Sequence, residues 1–309
     1  MPFLVLVEFR YSAPKMVRLI HSMAYTVDAA FNTFYEQINL SGDHRETANK
    51  RRERIVELLK NDFEILESFG TGSIPKFTAL KGHADLDVMV ALHYGKHIKD
   101  KKPSSVLQNV RNSLAEYRTG VRSNGQAVTL YYDTWPNVDI VPVSRVVDNN
   151  QNVTHYEVPN SNTEGWMPSR PKKHANTIEA RSTVCGQNFR RIIKMIKHWN
   201  RIHSEYLTSY HIEVLALNIF HTNLDDLPWN IHMFFDNAAN LVKSSLWYEV
   251  NYADAYLTDT ARAEAVKRLE TAKAKSLTAW YATHGANNDH QSAITAWKQI
   301  FGDKYPAYG

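Results

Sequence analysis

Cysteine is nearly absent from this 309-residue chain; Cys185 stands alone. One thiol excludes an internal disulfide framework and a cysteine-based zinc site, and it fits a reducing cytosol. Long apolar runs are absent too. No stretch approaches the roughly 20 residues needed to span a bilayer. The apolar opening "MPFLVLVEF" is short, is followed soon by Arg10 and Lys15, and lacks the basic, apolar, small order of a secretion signal. A large excess of one sign of charge is absent. A formal net charge of +4 suits phosphate-bearing ligands without demanding nucleic acid or a membrane surface. There is no internal repeat and no low-complexity segment. What remains is an ordinary globular composition, 43% hydrophobic and 22% charged, in a chain long enough for two cores.

From Met16 the apolar residues Leu19, Ile20, Met23, Val27, Ala30, Phe31, Phe34 and Ile38 recur at helical spacing. They predict one long amphipathic helix, broken at Ser41-Gly42-Asp43. Asp43 is placed to cap a second helix through Leu59, and its basic run "NKRRER" (49–54) reads as a solvated face. Strands are expected over 63–69, 85–92, 127–132 and 138–146, with a helix opened by Pro103 among them. After Pro159 the composition changes. A loop over 159–174, rich in turn formers, leads into segments that are nearly all helical. Its basic end, Lys172, Lys173 and His174, reads as solvated. The chain therefore divides into an extension over 1–15, an α/β part over 16–170 and a helical domain over 171–309.

The chemistry concentrates in "GTGSIPKFTALKGHADLDVMV" (70–90) and "VDIVPV" (138–143). Strand side chains alternate between faces, so Asp85 and Asp87 point the same way while Leu86 and Val88 enter the core. Like-charged neighbours need a shared proton or a divalent cation. Asp139 repeats the pattern in a later strand, and if the two strands are neighbours three carboxylates converge. Oxygen-only ligands of that kind suit Mg²⁺. Gly72-Ser73, a turn expected to feed a short helix, offers backbone N–H groups and a hydroxyl to an anion. Phosphate at the turn and metal at the acids together describe a nucleoside triphosphate between them. Farther along, Arg190, Lys194, Lys197 and Arg201 fall on one helical face, which is either a solvated stripe or a phosphate-facing one.

On these segments, together with "EVPNSNTEGWMPSRPKKH" (157–174) and "KHWNRIHSEYLTSYHIEVL" (197–215), the sequence resembles the polymerase-β-like nucleotidyltransferases. More closely it resembles the bacterial relatives of cyclic GMP-AMP synthase, the cyclic-oligonucleotide synthases of anti-phage signalling. The resemblance implies an α+β fold: a nucleotidyltransferase core with a small mixed sheet and a long N-terminal helix, followed by a C-terminal helical domain. It implies Asp85, Asp87 and Asp139 as ligands of two Mg²⁺ ions (Mn²⁺ a possible substitute) and as the catalytic acids. Gly72 and Ser73 would hold the donor phosphates, Ser209 would touch the triphosphate and Tyr210 would stack on a base. Either Lys194 or Lys197 would counter phosphate charge. The implied substrates are nucleoside triphosphates, the product is a cyclic di- or trinucleotide, and the partners are activating or effector proteins of a defence system. The setting is cytoplasmic, with no obligatory nucleic acid and no membrane. The animal enzyme's zinc-binding insertion is absent, which argues against DNA-triggered activation.

Two rivals belong beside this reading. A transferase acting on RNA ends or on protein side chains would use the same fold, but an RNA-tail enzyme calls for a basic accessory module that +4 hardly accommodates. A non-catalytic nucleotide or nucleic-acid sensor would have no need to keep Gly72-Ser73 and all three acids.

Overall fold

Seven strands form the mixed sheet that carries the acids: 65–71, 86–92, 138–147, 127–130 and 121–124 lie side by side in that order, and 153–160 and 165–169 continue from the far half of 138–147. The computed structural model describes residues 23–40, 43–83, 85–284 and 288–309. In chain order these run through β1 (Met23–Ala24), α1 (Val27–Ile38), α2 (Asp43–Leu59), β2 (Ile65–Thr71) and β3 (Leu86–Leu92). Then come α3 (Pro103–Ala115), β4 (Val121–Asn124), β5 (Ala127–Leu130), β6 (Val138–Val147), β7 (Val153–Asn160) and β8 (Gly165–Ser169). The helical half follows as α4 (Pro171–Cys185), α5 (Asn188–Ile202), α6 (Ser209–Ile219) and α7 (Leu227–Leu241). A small hairpin, β9 (Trp247–Tyr248) with β10 (Asn251–Tyr252), precedes α8 (Asp259–Thr283), α9 (His290–Phe301) and β11 (Ala307–Tyr308). This is the α+β arrangement of mixed sheet and helical region that the sequence suggested.

β3 is apolar along its length because both its faces are covered. Leu86, Val88, Val90 and Leu92 join Ile55, Leu59, Val106 and Val110 of α2 and α3 in one core cluster. Met89 and Ala91 join Val141, Val143 and Tyr156 on the opposite face. Asp87 belongs by alternation to that second face, at the end β7 and β8 leave open.

The first helix is shorter than its periodicity suggests. Thr26 caps it, its hydroxyl accepting from the Ala29 N–H at 3.2 Å. Met23 lies before that cap, in a strand paired parallel with Ala307–Tyr308. Met16, Leu19 and Ile20, and the break at Ser41-Gly42, lie outside the described residues. The buried face of α1 packs on the helical half, with Phe31 against Trp297 at 5.1 Å and Phe34 against Phe301 at 4.8 Å. Each of those phenylalanines contributes roughly 1.5–3 kcal/mol of apolar burial.

The expected loop over 159–174 is largely structured. β7 and β8 pair antiparallel from Asn160↔Gly165 to Tyr156↔Ser169, and Pro171 opens α4 as its first helical residue. Turn formers at Asn162 and Glu164 mark only the hairpin tip. Arg51, within the basic run of α2, is not simply solvated. Its guanidinium donates to the Thr134 carbonyl at 2.8 Å and lies over the Tyr132 ring at 4.1 Å, fastening the 133–137 turn. Among the described residues no helix is long and apolar enough to cross a membrane.

Candidate active site

The parallel pairing of β3 with β6 sets Asp87 directly beside Asp139. Asp85 stands two residues before Asp87 at the exposed strand entrance. All three line a cleft of about 920 Å³ between the sheet and the helical half, together with Gly72, Ser73, Ser209 and Tyr210. Thr129, opposite Asp139 on β5, donates its hydroxyl to Asp139 Oδ1 at 2.5 Å and fixes that carboxylate's orientation.

Their electrostatics are strained. Burial, and then the neighbouring Asp139 carboxylate, push Asp87 up to about 6, with the positive charge of Lys76 pulling the other way. Asp139 is raised as well, by burial and by Asp85, against the Thr129 hydrogen bond. Among the described residues no group of three or more carboxylates, histidines or cysteines is already drawn together closely enough to hold a metal ion. The donor set still fits a hard divalent cation, since it is oxygen-only, crowded with like charge and short of a cation of its own.

Gly72 is dictated by that crowding. Its φ is +72°, and a Cβ built there would fall 1.7 Å from Asp87 Oδ2. Only glycine lets the backbone pass this close to the acid. The chain then closes a series of turns rather than the expected short helix, with Thr78 N–H donating to the Ser73 carbonyl at 3.0 Å and Phe77 N–H to Ile74 at 3.1 Å. Phe77, at a φ of +62°, breaks any regular helical turn there.

Across the cleft, Thr208 caps α6 and leaves Ser209 and Tyr210 in its first turn. Tyr210 is 38% exposed, so it is no core residue. Its ring meets His174 edge-on at 5.0 Å and lies 6.1 Å from Tyr248. Burial and the nearby Tyr248 and Glu249 hold its phenol protonated well beyond the ordinary range.

The two candidate lysines both have partners within the protein. Lys194 is buried and donates to Asn39 Oδ1 at 2.6 Å. Lys197 is buried against Glu213 at 2.7 Å and Thr78 Oγ1 at 3.1 Å. Neither lines the main cleft, but Lys197 borders a small adjoining pocket that Ser73 and Ser209 also line. Arg201, on the same face, pairs with Glu205 at 3.0 Å, and Arg190 pairs with Glu179, so the stripe is mostly engaged with neighbours. His174, read as solvated, is in fact buried, with Nε2 2.8 Å from Glu213 and Nδ1 3.1 Å from the Tyr248 hydroxyl. Lys172 and Lys173 are half-exposed and paired with Glu67 and Glu249, each at 2.6 Å.

The residue that sequence reasoning missed is Glu213. It is buried on α6 and holds Lys197, Lys76 and His174, with Thr78 Oγ1 donating at 2.6 Å. Burial alone would raise its carboxyl, but Lys197, Lys76 and His174 outweigh it and hold the group well below the usual carboxylate range. A lone Glu inside the apolar run Ile212 to Leu217 was the available signal.

A Gly-Ser turn over paired strand acids, walled by a helical half, defines a nucleotidyltransferase. Residues 25–181, half of the chain, match the Second Messenger Oligonucleotide or Dinucleotide Synthetase domain. The chain belongs to this family, and it is an enzyme of the nucleotidyltransferase class. It is 21% identical to a probable cyclic nucleotide synthase of Bacillus cereus (strain VD146), over 93% of this chain and 99% of the relative. It is 23% identical to the cyclic AMP-AMP-AMP synthase of Escherichia coli (strain MS 115-1), over 72% of each. Among solved structures, E. coli MS115-1 CdnC in its complex with HORMA-deltaN superposes with a TM-score of 0.73 at 18% identity, covering 90% of this chain and 98% of that one. Vibrio cholerae DncV, a cyclic AMP-GMP synthase solved with a linear intermediate, gives 0.66 at 11% identity, covering 89% and 97%.

Proposed function

We propose that this enzyme joins nucleoside triphosphates and closes the product into a cyclic di- or trinucleotide second messenger, with Mg²⁺ as its cofactor, in a cytoplasmic anti-phage signalling system. The observation that carries the reading is the register that seats Asp87 beside Asp139 beneath Gly72-Ser73. Asp85, Asp87 and Asp139 would hold the ions, which when bound supply Lewis acidity to the phosphates and lower the pKa of the attacking hydroxyl. The rest is done by the chain. The Ser73 hydroxyl and the N–H groups of the turn bind the donor phosphates, Ser209 reaches them from α6, and Tyr210 stacks on a base. A 2′ or 3′ hydroxyl oxygen of the acceptor bonds to the α-phosphorus of the donor while pyrophosphate departs. Asp139, oriented by Thr129, takes the hydroxyl proton. A second such transfer, with the linear intermediate turned in the cleft, closes the ring. Effector proteins that read the product, or activators of the enzyme, are the expected partners.

The test is to incubate the pure protein with Mg²⁺ and all four labelled triphosphates. A short, phosphatase-resistant product identified by mass is expected, without added nucleic acid and with only modest loss of activity as salt rises. A requirement for an RNA primer, or a ladder that lengthens with time, overturns the cyclase reading in favour of a tailing enzyme.

A further inference from the structure

Glu213, on the helical wall of the cleft, is shared by two lysines, one from α5 and one from the 73–78 turn. Lys76 and Lys197 both pair with Glu213, while burial keeps the third partner, His174, toward its neutral form. Without Lys76, Glu213 would still have Lys197 at 2.7 Å, Thr78 at 2.6 Å and His174 at 2.8 Å. Lys76 is therefore the cation that Glu213 can release, and its charge already reaches Asp87 in the same cleft. It is also the one that faces the cleft: Lys197, at 4% side-chain exposure, borders only a small side pocket shared with Ser73 and Ser209, whereas Lys76, at 10%, lines the cleft itself three residues after Ser73. A largely buried ammonium that shares its counter-ion with a second lysine is stabilised when a further anion joins it.

We propose that Lys76 is a triphosphate-binding residue, parked on Glu213 in the free enzyme and turned to the polyphosphate of the nucleotide seated at Gly72-Ser73. The proposal rests on the reading of this cleft as a nucleoside triphosphate site and adds the residue that selects for the polyphosphate chain. The exchange leaves no buried charge stranded, because Glu213 keeps Lys197, Thr78 and His174 while the lysine gains phosphate oxygens. A lysine suits this task as a compact point charge on a flexible stem that can serve two positions. Glu213 is then a positioning residue, holding Lys76 folded against the wall until substrate arrives.

The test measures binding of methylene-bridged analogues of the four nucleoside triphosphates, and of the four monophosphates, to the full chain with Mg²⁺. Lys76→Gln keeps a hydrogen bond toward Glu213 but no charge, and Lys76→Met is a second charge-free variant. Both are expected to lose roughly tenfold to a hundredfold in triphosphate affinity and nothing in monophosphate affinity. Lys76→Arg should retain most of the triphosphate affinity. If wild type binds triphosphates and makes product while the charge-free variants bind them equally well, or lose both nucleotide classes alike, the role of Lys76 is overturned and the cleft assignment stands. Wild-type protein that binds neither class overturns the cleft assignment, and Lys76 with it.

Discussion

Asp87 and Glu213 are acids of one cleft, both largely withdrawn from water, and their surroundings treat them oppositely. On the sheet wall Asp87 is pushed up to about 6, because burial, Asp139 and Asp85 disfavour its charge and outweigh the pull of Lys76. On the helical wall Glu213 is held well below the carboxylate range by two lysines and a histidine. Burial is common to both, so the difference lies in the cations the protein supplies. Where it supplies them, the acid is structural and joins four segments. Where the nearest lysine is already paired with another acid, the carboxylate is left for a cation from solution.

The sharpest way to break this comparison is to make the same chemical change on each wall. Asp87→Asn or Asp139→Asn is expected to abolish product formation while the fold holds, since removing one of several repelling carboxylates relieves strain. A melting temperature equal to or slightly above wild type is the companion result. Mg²⁺ with a triphosphate should raise the wild-type melting temperature and scarcely move these variants. Glu213→Gln should do the reverse to the fold, costing about 3–5 kcal/mol because Lys197 and Lys76 are left buried without their acid. Chemical denaturation and turnover measured on all three variants give the contrast. Unchanged turnover in either aspartate variant removes the sheet wall from the mechanism.

Acid sharpens the same contrast. His198 and His211 are buried and held near 4, chiefly by burial. His198 donates from Nε2 to the Phe301 carbonyl in its neutral form, and His211 Nδ1 meets the Tyr256 hydroxyl at 3.0 Å. The unfolded chain, with histidine near 6.5, binds more protons than the folded one between about 6.5 and 4. Their contribution is therefore complete above about pH 6.5 and is lost as pH falls toward 4, at about 3 kcal/mol for each residue. Glu213 stays ionised through that window and should not report. Urea midpoints at pH 7, 5.5 and 4.5 should fall steeply for wild type and less steeply for His198→Gln and His211→Gln. A slope unchanged in both variants would place acid sensitivity elsewhere.

Much of the sheet wall was legible because its determinants are local. Strand alternation put Asp85 and Asp87 on one side, and the Val-Asp-Ile run marked Asp139, so only the neighbouring of β3 and β6 remained to be learned. The helical wall was not legible, because its partners come together only in the fold. Glu213 meets Lys76 across 137 positions of sequence, His174 across 39 and Lys197 across 16. Helical spacing put Lys194 and Lys197 on one face but could not say that α1 and the 73–78 turn cover it. The hairpin within 159–174 was hidden for a similar reason. Its second strand is defined by pairing with β7 rather than by an apolar pattern of its own.

Tyr210 tests the comparison at its finest grain, because it belongs to the helical wall but faces the space where substrate would lie. A core tyrosine would cost several kcal/mol of stability on truncation. At 38% exposure, with ring contacts only to His174 and Tyr248, Tyr210 has little core packing to lose. Tyr210→Ala is therefore expected to leave the denaturation midpoint nearly unchanged and to weaken triphosphate binding by about 1–3 kcal/mol, the worth of one base-aromatic stack. Tyr210→Phe keeps the π-face and should be almost silent in both measurements, because no hydrogen bond of the phenol is at stake in stacking. If Tyr210→Phe loses as much affinity as Tyr210→Ala, the hydroxyl rather than the ring does the binding. In that case the helical wall would contribute a polar contact where a stacking platform is expected.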